Sequence, residues 1–170
     1  MDVLRISKRF RENYAGSGRV CSDANEIREL IDIYRSIPLT LPIADVSVRR
    51  VCEVLTKEGY DTLESCEGHG KNPPKVFFDC PDDNRLRHLT DILYQESEEK
   101  NFEWVIDRES FDDEYFGTSN TYIIRPKIKS GKRIDHKTYS GLIDDLDIIG
   151  LCVLRYFGYA DVSRALADAK

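Results

Sequence analysis

The order of apolar patterns along the chain predicts an α+β domain, a two-layer structure with a four-stranded, mostly antiparallel sheet and helices on one face. Three observations carry that prediction. Two successive segments, Val48–Cys80 and Leu86–Arg125, each read as one helix followed by two strands. Within each segment the strands follow one another without a helical pattern between them, as in hairpins. A further helical pattern flanks the pair on either side, giving the order helix, helix–strand–strand, helix–strand–strand, helix. With 170 residues, 41% of them hydrophobic and 33% charged, the chain suits a single folded domain. Residues 1–20 are expected to form a basic, partly mobile arm, and residues 21–170 the domain.

The elements follow in order. Ser22–Glu26 reads as a helix start, with Asp23 and Glu26 at capping-box spacing. Ile27, Leu30, Ile31 and Tyr34 then share one helical face. Pro38 and Pro42 bracket an extended connector. Val48, Val51, Cys52 and Leu55 recur at i, i+3, i+4 and i+7, so a second helix is expected from about Asp45 to Glu58, with Gly59 as its left-handed cap. Tyr60–Ser65 and Lys75–Cys80 read as a hairpin with a long tip, Cys66–Pro74. Pro81–Asn84 opens a third helix, whose buried stripe is Leu86, Leu89, Ile92 and Leu93. Phe102–Asp107 and Thr121–Arg125 are the remaining strands, joined by an acidic loop. A long helix from about Thr138 to Phe157 carries Leu142, Ile143, Leu146, Ile149 and Val153, and a short helix closes the chain.

Composition excludes several classes. Lys and Arg number 25 against 31 Asp and Glu, a net charge of -6, which rules out wholesale attraction to nucleic acid or anionic lipid but not a local basic patch. The N-terminus has no apolar core of signal-peptide length, and no apolar run approaches the ~20 residues of a membrane helix. A soluble, cytoplasmic protein without a membrane partner is expected. Five cysteines (Cys21, Cys52, Cys66, Cys80, Cys152) are too few for a disulfide scaffold and odd in number, so they are expected to be reduced. Walker, Rossmann, nucleophile-elbow and HExxH motifs are all absent, and no cofactor is specified.

One segment concentrates chemistry. Ser65-Cys66-Glu67-Gly68-His69-Gly70, followed by Lys71, places a thiol, a carboxylate and an imidazole within four residues at a strand end. Three chemistries use such a set. His69 beside Cys66 can raise the thiolate fraction, with Glu67 as the orienting group, which makes Cys66, His69 and Glu67 the catalytic candidates. Cys66-x-x-His69 also has ligand spacing for zinc, with Cys80 and His88 to complete four ligands. Alternatively Ser65, Cys66, Gly68, His69, Gly70 and Lys71 bind a small anion or nucleotide phosphate through turn amides and two cations. Against all three stands a plain turn with Cys66 as a small buried hydrophobe.

Gly59-Tyr60-Asp61-Thr62-Leu63-Glu64-Ser65-Cys66-Glu67-Gly68-His69 resembles a phrase in small uncharacterised proteins in which a helix ends in Gly-Tyr and leads to Thr-x-x-Ser-Cys-x-Gly-His. It is also distantly similar to the Ser-Ser-Cys-Ser-Gly-Arg segment of the tRNA methyltransferases of wybutosine synthesis. Ser65, Cys66 and Gly68 align with that segment, while its second serine and its arginine become Glu67 and His69. The resemblance spans about a dozen residues and implies a ligand site at this loop.

Elsewhere, Arg125, Lys127, Lys129, Lys132 and Arg133 form a basic run able to track an RNA backbone. Asp112-Asp113-Glu114 and Asp144-Asp145-Asp147 are candidate holders of a hard cation. Gly141 and Gly150 in the long helix suggest a close helix–helix approach, including one across a homodimer. The leading expectation is a small-ligand or nucleotide-phosphate site on Ser65–Lys71. The alternatives are RNA binding through Arg125–Lys137 and a homo-oligomeric module without substrate.

Overall fold

The computed structural model describes residues 24–42, 44–80, 82–95, 100–109, 112–113, 117–118, 121–128 and 134–155. The basic arm, the Asp23 cap and the closing helix lie outside them. In chain order the elements are α1 (Ala24–Ser36), α2 (Val46–Lys57), β1 (Asp61–Thr62), β2 (Val76–Asp79), α3 (Asp83–Gln95), β3 (Trp104–Glu109), β4 (Asp112–Asp113), β5 (Gly117–Thr118), β6 (Thr121–Pro126) and α4 (His136–Val153). Four strands form one antiparallel sheet in the order β1-β2-β6-β3, so the fold is α+β as the pattern predicts. A separate two-stranded ribbon, β4–β5, occupies part of the expected acidic loop.

Helix α2 exists because its apolar spacing holds: Val48, Val51, Cys52, Val54 and Leu55 are all buried. Gly59, at φ +84°, ends it as expected. The α2 face meets α4, the most enclosed element of the fold. From Gly141 to Val153 every α4 position except Ile143 and Asp144 is buried, because α1, α2 and α3 all pack on it. Each fully buried Leu or Ile there contributes ~1.5–3 kcal/mol. Val76, Phe78, Tyr122, Ile124 and Trp104 supply the sheet's share of the core. Phe78 stacks on Tyr122 at 5.7 Å and meets Tyr60 edge-on at 5.8 Å.

The two glycines of α4 serve contacts within this chain. A Cβ at Gly150 would lie 2.7 Å from the Tyr34 ring of α1, and one at Gly141 would lie 3.1 Å from Phe102. Close approach is real, and its partners are aromatic rings of the same molecule. The acidic triplet of α4 is likewise dispersed. Asp145 accepts hydrogen bonds from the Asn101 amide (2.7 Å), Asn101 Nδ2 (2.8 Å), the Phe102 amide (2.9 Å) and Trp104 Nε1 (3.0 Å). Asp147 instead accepts from the Tyr34 hydroxyl at 2.9 Å. Asp145 and Asp147, two of the three candidate cation holders, therefore address different partners. For the other triplet, Glu114 and the side chains of Asp112 and Asp113 lie outside the described residues.

Candidate functional site

The expected first strand is shorter than Tyr60–Ser65, because the ladder is interrupted by a bulge. Between the pairs Thr62↔Phe78 and Cys66↔Lys75, three residues (Leu63–Ser65) oppose two (Val76–Phe77). Ser65 repairs the gap: its hydroxyl donates to the Leu63 carbonyl at 2.9 Å and accepts from the Phe77 amide at 3.1 Å. Only 2% of Ser65 is exposed, so it is a structural plug and not a ligand contact.

Beyond Cys66 the chain takes three left-handed residues in succession, Gly68 (φ +80°), His69 (φ +50°) and Gly70 (φ +67°). The carbonyl of Gly68 accepts from the amides of Lys71 and Asn72, each at 3.0 Å. Glycine is required at position 68 on two counts, since its φ disfavours a side chain and a Cβ would lie 3.1 Å from the Pro73 backbone.

The loop is clamped to the start of α2. Asp45 is the N-cap of that helix, yet its carboxylate makes no bond to its own first turn. It accepts instead from the Glu67 amide at 3.0 Å, and Glu67 Oε2 accepts from the Ser47 amide of α2 at 3.2 Å. The two carboxylates thus exchange caps between loop and helix, an arrangement worth ~1 kcal/mol per cap. The Asp45 amide also donates to the Ser65 carbonyl at 3.2 Å.

This clamp gathers the reactive groups. His69 Nε2 lies 3.5 Å from Asp45 Oδ2 and Nδ1 lies 3.9 Å from Glu67 Oε1, while its side chain is 67% exposed. The Gly68 amide donates to Cys66 Sγ at 3.2 Å. Donor atoms of Asp45, Cys66 and His69 all lie within 4.8 Å of one another, the one such group of His, Cys, Asp and Glu among the described residues. The expected partners Cys80 and His88 do not join it. Cys80 follows the far end of β2 and donates to the Asp82 carbonyl at 3.2 Å, and His88 is on α3. Burial raises the Cys80 thiol pKa.

The anion-nest arrangement is also altered. The amides of Cys66, Glu67, Gly68, Lys71 and Asn72 all donate inside the protein. Two carboxylates face the imidazole at the loop tip.

Beside the loop, α2 and α4 enclose a cleft of about 430 Å³, whose polar lining includes Ser47, Arg50, Tyr139, Ser140, Asp144 and Asp147. A second hollow of about 450 Å³ lies against Gly70, Asp135 and His136. Tyr139 lines both and connects them to the loop. Its hydroxyl pKa is raised, first by burial and then by the Glu67 carboxylate, with hydrogen bonding to Ser47 opposing and Asp45 and Cys66 adding to the rise. Deeper in the cleft Asp147 is pushed up to about 6, chiefly by burial, against the Tyr34 hydrogen bond and the Arg50 charge. Arg50 stands 5.6 Å over the Tyr34 ring and donates to the Tyr34 carbonyl at 3.0 Å.

Sequence reasoning does not single out Asp45, Ser47 or Tyr139 as site residues, and it offers Asp147 only as a holder of a hard cation. Asp45 was visible only as a helix start, and nothing in the spacing ties it to a loop some twenty positions on. The basic run is partly neutralised: Arg125 pairs with Asp107, and Lys127 pairs with Glu103 at 2.9 Å. Lys129, Lys132 and Arg133 lie outside the described residues.

The fold and the loop define an α+β protein with a thiol, imidazole and carboxylate cluster where the Cys66–Lys71 loop is clamped to the start of α2. No family model matches the chain, and no match is found among the curated proteins or the solved structures. Among the described residues Cys52, Cys66 and Cys80 are free thiols, and no helix is long and apolar enough to cross a membrane.

Proposed function

We propose that the protein binds a small polar molecule of nucleoside or sugar size in the cleft between α2 and α4, next to the hollow lined by Gly70 of the Cys66–Lys71 loop. The observation that carries this reading is the convergence of Ser47, Arg50, Tyr139, Ser140, Asp144 and Asp147 on one hollow of about 430 Å³. Ligand sites usually run ~300–1,000 Å³ and use a few converging polar groups, so this hollow suits a compact ligand. Three hydroxyls and two carboxylates line it, which favours a molecule rich in hydroxyl and amino groups over a bare anion. Arg50, also in the lining, is held by the Tyr34 and Arg35 carbonyls.

Titration with uridine, adenosine and simple hexoses, followed by amide chemical shifts, tests the reading. Shifts concentrated at Ser47, Tyr139 and Ser140 are expected, and Ser140→Phe, which fills the hollow, should abolish them while the dispersed spectrum persists. Silence toward the whole panel at millimolar concentration, or unchanged binding by Ser140→Phe, overturns it.

A further inference from the structure

We infer that Asp45, Cys66 and His69 form a binding site for a divalent transition metal of the zinc class. The three donors are a carboxylate, a thiol and an imidazole brought together from two elements, and their atoms lie within 4.8 Å of one another. Bonds of ~2.0–2.3 Å in a tetrahedral shell place ligand atoms about 3.3–3.8 Å apart. His69 Nε2 and Asp45 Oδ2, at 3.5 Å, already have that spacing. Closing the remaining gap asks for a small rotation, and His69, 67% exposed, has room to make it.

The surroundings match what a metal asks of its second layer. Asp45 Oδ2 is oriented by the Glu67 amide and Cys66 Sγ by the Gly68 amide. Glu67 Oε1 stands 3.9 Å from His69 Nδ1, placed to take that ring N–H when Nε2 turns to a metal. Glu67 is itself fixed by the Ser47 amide. A thiolate and an imidazole select zinc, cobalt or nickel over magnesium and calcium, which prefer oxygen. Three protein ligands leave a fourth position open, as in sites that bind water or a substrate. The plainer account of the same atoms is an ion pair between a protonated His69 and two carboxylates, in which Cys66 has no part.

Cobalt(II) separates the two accounts without any cleft ligand, so the outcome is independent of the small-molecule reading. The full chain, stripped by a chelator and kept reduced, is titrated with Co²⁺ alone. One equivalent should produce a thiolate-to-cobalt charge-transfer band and tetrahedral visible bands, and Zn²⁺ should displace both. Cys66→Ser should abolish the charge-transfer band. His69→Ala and Asp45→Asn should weaken binding roughly a hundredfold; His69 is exposed, and asparagine retains an acceptor for the Glu67 amide, so the fold should survive. Cys80→Ser and His88→Ala should bind as the parent does. Absence of the band, its persistence in Cys66→Ser, or its loss in Cys80→Ser overturns the site.

Discussion

Two carboxylates of this molecule show how differently the same group can be used. Asp145 is fully buried and accepts four hydrogen bonds from Asn101, Phe102 and Trp104, so its lone pairs are committed. Asp45 is half-buried, accepts the Glu67 amide, and also faces a histidine and a thiol. Asp145 lies within α4 and Asp45 caps α2, and both bind loop amides. Saturation is the difference: Asp145 has nothing left to offer a ligand, whereas Asp45 belongs to a cluster whose donor atoms meet near the surface. A polar group finished by its own protein stabilises; one left partly unsatisfied among others of its kind is available for chemistry.

The largest effect should come from the saturated side. Asp145→Ala takes the acceptor from the Phe102 amide and Trp104 Nε1, at ~1–3 kcal/mol for each that stays buried, while Asn101 Nδ2 keeps the Gly141 carbonyl. Water reaches Asn101, which is exposed, so the total should be about 3–5 kcal/mol in urea unfolding. Cobalt binding at Asp45 should be unchanged. A loss below about 1 kcal/mol would mean that the four bonds do not hold the 101–104 turn on α4.

Asp147 tests a carboxylate between these extremes, buried, accepting a hydrogen bond from the Tyr34 hydroxyl and facing Arg50 and Asp144. Its folded pKa of about 6 lies above the ordinary 3.8. The folded state therefore holds the proton more tightly than the unfolded state. Stability from this group is complete below about pH 4 and is lost as pH rises through about 6. Asp147→Asn cannot ionise and should keep an acceptor for Tyr34. It should match the parent at pH 4 and exceed it by about 2 kcal/mol at pH 7. Urea midpoints across that range give the answer, and parallel profiles would show that Asp147 ionises without penalty.

The fold was legible because periodicity reports burial: Val48, Val51, Cys52 and Leu55 predicted the buried face of α2, and Leu89, Ile92 and Leu93 that of α3. The loop was legible as a place, since few bland segments combine Cys66, Glu67 and His69. Its chemistry was not. Amides that a composition-based reading offers to an anion are consumed by Asp45, Cys66 and local carbonyls. Asp45 enters only because the bulge at Leu63–Ser65 and the Ala44↔Ser65 bridge bring the loop onto the α2 start. Likewise Gly141 and Gly150 announced close approach, but spacing along one helix does not say that Phe102 and Tyr34 are what approaches.

The smallest predicted effect separates the loop's backbone from its packing. Gly70 and Gly68 share a left-handed conformation, at φ +67° and +80°. A Cβ at Gly70 meets nothing within 4 Å, whereas one at Gly68 lies 3.1 Å from the Pro73 backbone. Gly70→Ala therefore bears only the conformational penalty, about 1 kcal/mol, and should leave cobalt affinity near that of the parent. Gly68→Ala adds a collision that only movement of the turn can relieve. Because the Gly68 amide holds Cys66 Sγ, that movement should lower cobalt affinity beyond the change in unfolding free energy. Equal behaviour of the two variants in urea and in cobalt titration would show that the turn's conformation matters and its seat against Pro73 does not.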